Sequence, residues 1–162
     1  MILDNIDVFV FDFDGVLTNN LVYQSQEGEE SVVCSRADGL AFDVLRKINK
    51  PVFILSTEKN RVVEMRAKKL KIPVIQGVTD KVLALKELAE KNNYNLGKTL
   101  YVGNDINDYL AMKICGFTAC PVDSHPKIKE ISKCILTTKG GNGVVRELLE
   151  NIFNLNFIDI LY

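Results

Sequence analysis

Four short apolar runs punctuate the chain, and each stops on a polar or turn-forming residue: Val8–Phe11 (VFVF), Val52–Leu55 (VFIL), Thr99–Val102 (TLYV) and Phe117–Cys120 (FTAC). Runs of this length, rich in β-branched and aromatic residues, predict strands buried on both faces, as in a parallel sheet. Pro73–Ile75 and Cys134–Leu136 predict two shorter strands. Between these runs the pattern changes to apolar residues three and four apart. It predicts helices over Leu40–Asn49, about Asn60–Leu70, Val82–Lys91, the segment carrying Leu110, Ala111, Met112 and Ile114, Pro126–Ser132, and Val144–Phe153. Asp38-Gly39 is expected to open the first of these, and Thr79-Asp80-Lys81 to cap the third. Leu21–Val33 alternates around Glu27-Gly28 and predicts a β-hairpin standing off the sheet. Strands alternating with helices through short loops give the fold class: α/β, a three-layer α/β/α sandwich with a Rossmann-like parallel sheet, a small hairpin flap and one domain over residues 1–162.

In such a sheet the carboxyl ends of the strands share one rim, where ligands bind. Three polar groups fall there: Asp12 and Asp14 after the first strand, Ser56-Thr57-Glu58 after the second, and Gly103-Asn104-Asp105-Ile106-Asn107-Asp108 after the fourth. Asp12 and Asp14, two apart on extended backbone, point the same way and repel unless a cation or cationic side chain lies between them. An Asp-Gly pair alone is an ordinary turn. The fuller pattern Asp12-x-Asp14-Gly15-x-x-Thr18 is more demanding and points to chemistry at the strand end.

Composition narrows the classes. The 162 residues are 47% hydrophobic and 25% charged with a net charge of -1, which offers no general attraction to nucleic acid or to an anionic membrane. The start, MILDNID, is acidic and unlike a signal peptide, and no apolar run reaches membrane-spanning length, so a cytoplasmic protein is expected. Four cysteines form no CxxC pair and there is a single histidine, His125, which argues against a zinc cluster and against a Ser-His-Asp hydrolase.

DFDGVLT, the serine ending the second strand, Lys81 at a helix start and GNDIND after a later strand resemble, in order and placement, the four motifs of the haloacid dehalogenase superfamily. The absence of a cap insertion, the hairpin after the first motif, QGVTDK and the terminal GGNGVVRE are similar to the capless sugar-acid phosphatases. Those act on 3-deoxy-D-manno-octulosonate 8-phosphate or on nonulosonate 9-phosphates, and a related domain ends the animal sialic-acid cytidylyltransferases. The resemblance implies Asp12 as nucleophile, Asp14 as acid and then base, and Ser56 and Lys81 as support for the phosphoryl group. It implies Mg²⁺ held by Asp12, the Asp14 carbonyl and either Asn104 or Asp105, with Asp108 orienting Lys81 or water. Asn104 departs from the usual GDDxxD, putting a neutral amide where a carboxylate is common. Glu58 stands where octulosonate phosphatases carry Arg, which tilts the expectation toward a nonulosonate 9-phosphate. Thr57, Lys69 and Arg146 are the further candidates for holding the phosphorylated sugar acid, with Arg66 beside Lys69 and Glu147 a partner for Arg146. A homotetramer is implied, a neighbour's hairpin and its apolar tail Phe153–Tyr162 covering the site. The alternative is a catalytically weak oligomerisation module.

Overall fold

The computed structural model describes residues Met1–Tyr162. In chain order the elements are β1 (Val8–Phe11), β2 (Tyr23–Gln24), β3 (Glu30–Ser31), α1 (Arg36–Lys47), β4 (Val52–Leu55), α2 (Arg61–Leu70), β5 (Val74–Ile75), α3 (Lys81–Asn92), β6 (Thr99–Val102), α4 (Tyr109–Lys113), β7 (Phe117–Cys120), α5 (Pro126–Ile131), β8 (Cys134–Ile135), α6 (Val144–Glu147) and α7 (Phe157–Leu161). Six strands form one parallel sheet in the order β5-β4-β1-β6-β7-β8, and β2 and β3 pair antiparallel beside it. β1 lies between β4 and β6, with Val10 level with Phe53 on one side and Tyr101 on the other. The chain winds outward from β1 first in one direction and then in the other, so the crevice between β1 and β6 is the switch point of the sheet.

Strand alternation divides the core into two layers. Phe9 and Phe11 pack with Phe42 and Leu45 of α1, Val63 and Ala67 of α2, Val144 and Val145 of α6, and Phe157 of α7. Val8 and Val10 face the other way, onto Leu85 and Leu88 of α3, Ala111 and Met112 of α4, and Ile128 of α5. This is the expected three-layer sandwich. No helix is long and apolar enough to cross a membrane.

Three local expectations are corrected, and the expected hairpin forms with short strands. Helix α1 begins before Asp38-Gly39: Ser35 is its cap, Oγ accepting the Ala37 N–H at 3.1 Å, and Gly39 lies inside the helix. The hairpin strands are only two residues each, leaving Leu21, Val22, Tyr23 and Val33 exposed. The last predicted helix splits: after α6 the backbone widens over Leu148–Ile152 into a π turn, in which the Phe153 N–H donates to Leu148 O at 3.1 Å. Leu148 and Leu149 lie in the core with Val144 and Val145, one and the same helix face at spacings of one and four residues. The tail, expected on a partner, docks on the chain itself, because α7 folds back along α1 and buries Phe157.

Candidate active site

Each strand that ends at the switch point delivers polar groups to one place. β1 stops at Asp12 because the chain turns there. Gly15, at φ +75°, completes the turn, and Asn104 packs so close that a Cβ on Gly15 would sit 1.9 Å from its Nδ2. Lys81 arrives as the first residue of α3, whose N-cap Asp80 accepts the N–H groups of Val82 and Leu83 at 2.8 and 3.0 Å. With its helix start fixed in this way, the Lys81 ammonium reaches Asp12 Oδ1 at 2.8 Å and Asp108 Oδ1 at 2.6 Å.

The three charges are buried, Asp108 completely. A buried ion pair is worth keeping only when the remaining lone pairs are satisfied. Here they are: Asp108 Oδ1 also accepts Tyr101 OH at 2.8 Å, and its Oδ2 accepts the Asn104 and Asp105 N–H groups at 2.9 and 3.4 Å. Asp108 therefore positions Lys81 and the Asn104–Asp105 backbone and has no lone pair left for a metal. Asp12 differs. Its Oδ1 takes Lys81 and the Phe13 N–H at 2.7 Å, while no protein donor bonds Oδ2. Burial, reinforced by the Asp108 charge, raises the Asp12 pKa well above the carboxylate range, with Lys81 opposing. Burial also opposes the charge on Lys81, but Asp12 and Asp108 outweigh it and raise the pKa.

Asp14 is half-buried. Burial raises its pKa, the hydrogen bond from Thr18 Oγ1 at 3.2 Å opposes, and the Glu58 carboxylate adds to the rise. A carboxyl group that holds its proton longer is suited to act as an acid. Ser56 Oγ accepts the Glu58 N–H at 3.1 Å, which leaves its own hydroxyl hydrogen free to donate outward. Asp12, Asp14, Ser56, Thr57, Asn104 and Asp105 all line one cavity of about 220 Å³.

The donor set fits a hard divalent cation. Asn104 is 7% exposed and its Oδ1 is buried with no hydrogen-bond partner, an orphaned acceptor in the same cavity as the free Asp12 Oδ2. Oxygen donors of this kind suit Mg²⁺. Asp105, by contrast, spends one oxygen on the Ile106 N–H at 2.7 Å, as cap of the short 3₁₀ turn Ile106–Asp108.

Four candidates for holding substrate lie elsewhere or differently than expected. Lys69 is on a separate depression of about 420 Å³ between α1 and α2, with Arg36, Arg46 and Arg66. Arg66 donates to Ser35 O at 2.7 Å. Arg146 pairs with Glu150 at 3.2 Å and stacks 4.7 Å from the Phe157 ring, while Glu147, its suggested partner, binds Thr137 and Thr138 instead. Glu58 stays at the rim, with Oε1 turned onto the N–H groups of Lys59 and Asn60 at 2.6 and 2.8 Å. Sequence reasoning missed Asn20 on the cavity wall and Tyr101 beneath Asp108, and placed Asn107 on the rim without giving it a role. Asn20 carried one local signal, an Asn just past the Asp-Gly turn, and it adopts φ 63°.

Comparison with known proteins places this geometry. Residues 42–148 match the family of haloacid dehalogenase-like hydrolases. The chain is 31% identical over 148 residues to the 3-deoxy-D-manno-octulosonate 8-phosphate phosphatase of Salmonella typhi, covering 91% of this chain and 79% of that protein. Among solved structures it superposes with TM-score 0.90 and 39% identity on a haloacid dehalogenase-family hydrolase from Streptomyces avermitilis, covering 93% and 86% of the two chains. It also superposes with TM-score 0.88 and 32% identity, over 93% and 87% of the chains, on the octulosonate 8-phosphate phosphatase of Moraxella catarrhalis in complex with magnesium, phosphate and KDO.

Proposed function

The chain belongs to the haloacid dehalogenase-like hydrolases, and from that premise we propose that it is a Mg²⁺-dependent phosphatase of a sugar-acid phosphate. The observation that carries this reading is the asymmetry of Asp12. One oxygen is locked by the buried Lys81–Asp108 pair, and the other is unbonded and faces the cavity.

The Asp12 carboxylate attacks phosphorus as the bond from phosphorus to the sugar oxygen breaks. Asp14 gives its proton to that leaving oxygen. As a carboxylate, Asp14 then takes a proton from the water that attacks the aspartyl phosphate, releasing inorganic phosphate and restoring Asp12. Lys81 and Ser56 hold the phosphoryl oxygens as their charge spreads. Asp12, the Asp14 carbonyl and Asn104 would hold Mg²⁺, which when bound draws charge from the phosphoryl oxygens.

For the substrate we favour a nonulosonate 9-phosphate over an octulosonate 8-phosphate. Glu58 keeps Oε2 free to accept from an amide N–H, a group that an N-acylated nonulosonate carries and an octulosonate lacks. The exposed Leu21, Val22, Tyr23 and Val33 support assembly of several copies, as in a tetramer, with a neighbour closing the open site. Phosphate release from both substrate classes, with Mg²⁺ and again with a chelator, tests the reading. Metal-dependent turnover of either class is the expected result, and no release at catalytic enzyme levels would overturn it. That failure would favour the second reading, a catalytically weak assembly module, for which the neutral Asn104 speaks.

A further inference from the structure

Asp38 lies in the first turn of α1, outside the cavity, and is 2% exposed. A carboxylate this deep in the protein needs strong partners. Its Oδ1 accepts the N–H groups of Val145 and Arg146 at 2.8 and 3.2 Å, the first-turn amides of α6. The residue that should cap α6 locally is Gly143, which has no side chain to offer. Asp38 thus caps a helix more than a hundred residues away in sequence.

What precedes α6 explains why that cap matters. The loop Gly140-Gly141 is pressed against the turn that carries Asp14. A Cβ on Gly140 would lie 2.2 Å from Gly15 O, and one on Gly141 would lie 2.5 Å from Asn19 N. The Gly141 N–H donates to Val16 O at 3.0 Å. Thr18, in the same turn, both accepts the Gly15 N–H and donates to Asp14 Oδ1, each at 3.2 Å. On its other flank the loop is tied by Gly140 N–H to Asp123 at 3.0 Å, and Glu147 of α6 receives the Thr137 and Thr138 N–H groups at 2.8 and 2.7 Å. The start of α6 is the one end of this buttress that no local group secures.

We propose that Asp38 is a positioning residue for Asp14: by capping α6 it seats the Gly140-Gly141 loop against the Gly15–Asn19 turn and so fixes the acid that protonates the leaving oxygen. The assignment of that role to Asp14 rests on the phosphatase reading; the mechanical link from Asp38 to the turn does not. A displaced acid hurts most where the leaving group needs a proton. Asp38→Ala should therefore lower kcat about 10- to 100-fold on 3-deoxy-octulosonate 8-phosphate, an alkyl phosphate, and much less on p-nitrophenyl phosphate, whose phenolate leaves unaided. Asp38→Asn, which keeps the accepting oxygen, should restore the ratio.

Amide hydrogen exchange followed by NMR tests the link independently of activity. Gly141 and Thr18 should lose protection in Asp38→Ala and keep it in Asp38→Asn, while strand β6 stays protected in both. If Asp38→Ala does not fold, Asp38→Ser takes its place, since its shorter side chain cannot reach both amides. Equal losses on the two substrates, or unchanged exchange at Gly141 in a folded variant, would overturn the proposal. Should the unaltered protein release no phosphate from these compounds or from a nonulosonate 9-phosphate, the phosphatase reading fails while the exchange result still decides the link.

Discussion

The floor of the cavity and its rim are built on opposite principles. On the floor, Asp12, Lys81 and Asp108 are buried, paired, and hydrogen-bonded to side chains and backbone from β1, α3 and β6. At the rim the hairpin pairs through two residues per strand and exposes its apolar side chains, and Glu58 is turned onto its own backbone. The difference teaches that this chain organises the proposed reacting groups by its own contacts, while leaving the rim above them loosely specified.

The strongest test of that contrast is Asp12→Asn. Lys81 keeps its pair with Asp108 and exchanges the pair with Asp12 for a hydrogen bond to the amide oxygen, so turnover should fall by at least about a thousandfold with little change in Tm; phosphate-release assays and a thermal melt on one sample check both halves. Asp108→Ala attacks the floor as structure. It strands the Tyr101 hydroxyl, the Asn104 N–H and half of the Lys81 pairing, and should cost about 3–5 kcal/mol in denaturant unfolding, as well as turnover.

A third test reaches beneath the floor, to Asp38. Burial, opposed by the Val145 and Arg146 N–H groups and the Arg66 and Arg146 guanidinium groups, raises its pKa from 3.8 to about 6. Between those values the folded protein retains a proton that the unfolded chain has released. Stability should therefore fall as pH rises from about 4 to about 6, by on the order of 3 kcal/mol, and stay level above. Urea midpoints across that range should show the slope, and Asp38→Asn should flatten it. The smallest effect belongs to the rim. Glu58→Arg should move the ratio of kcat/KM about tenfold toward octulosonate 8-phosphate while changing stability by less than about 0.5 kcal/mol.

The same contrast governs what could be read from the sequence. β1, β4, β6 and β7 were legible because strands buried on both faces must be apolar throughout, and the polar residues that end them announced Asp12, Asp14, Ser56 and Asn104–Asp108. Lys81 was legible from its helix start. Asp38 was misread as part of a local helix start because its true partners, Val145 and Arg146, are remote in the chain. The docking of α7 was hidden for the same reason: an apolar tail pattern does not say whether the face covering it is α1 or another copy. Lys69 and Arg146 show the limit for cations, since a long charged side chain on a helix is placed by its neighbours in space, here the α1–α2 depression and Glu150.

Because β1 is bonded along its length to strands on both sides, the groups that would perform the chemistry hang from the part of the chain that opens last. On slow heating, the capacity to cleave a small, undemanding phosphate ester should survive until the sheet itself melts, whereas discrimination between similar sugars should fade at lower temperature as the two-residue hairpin frays. The protein would grow promiscuous before it grew inactive.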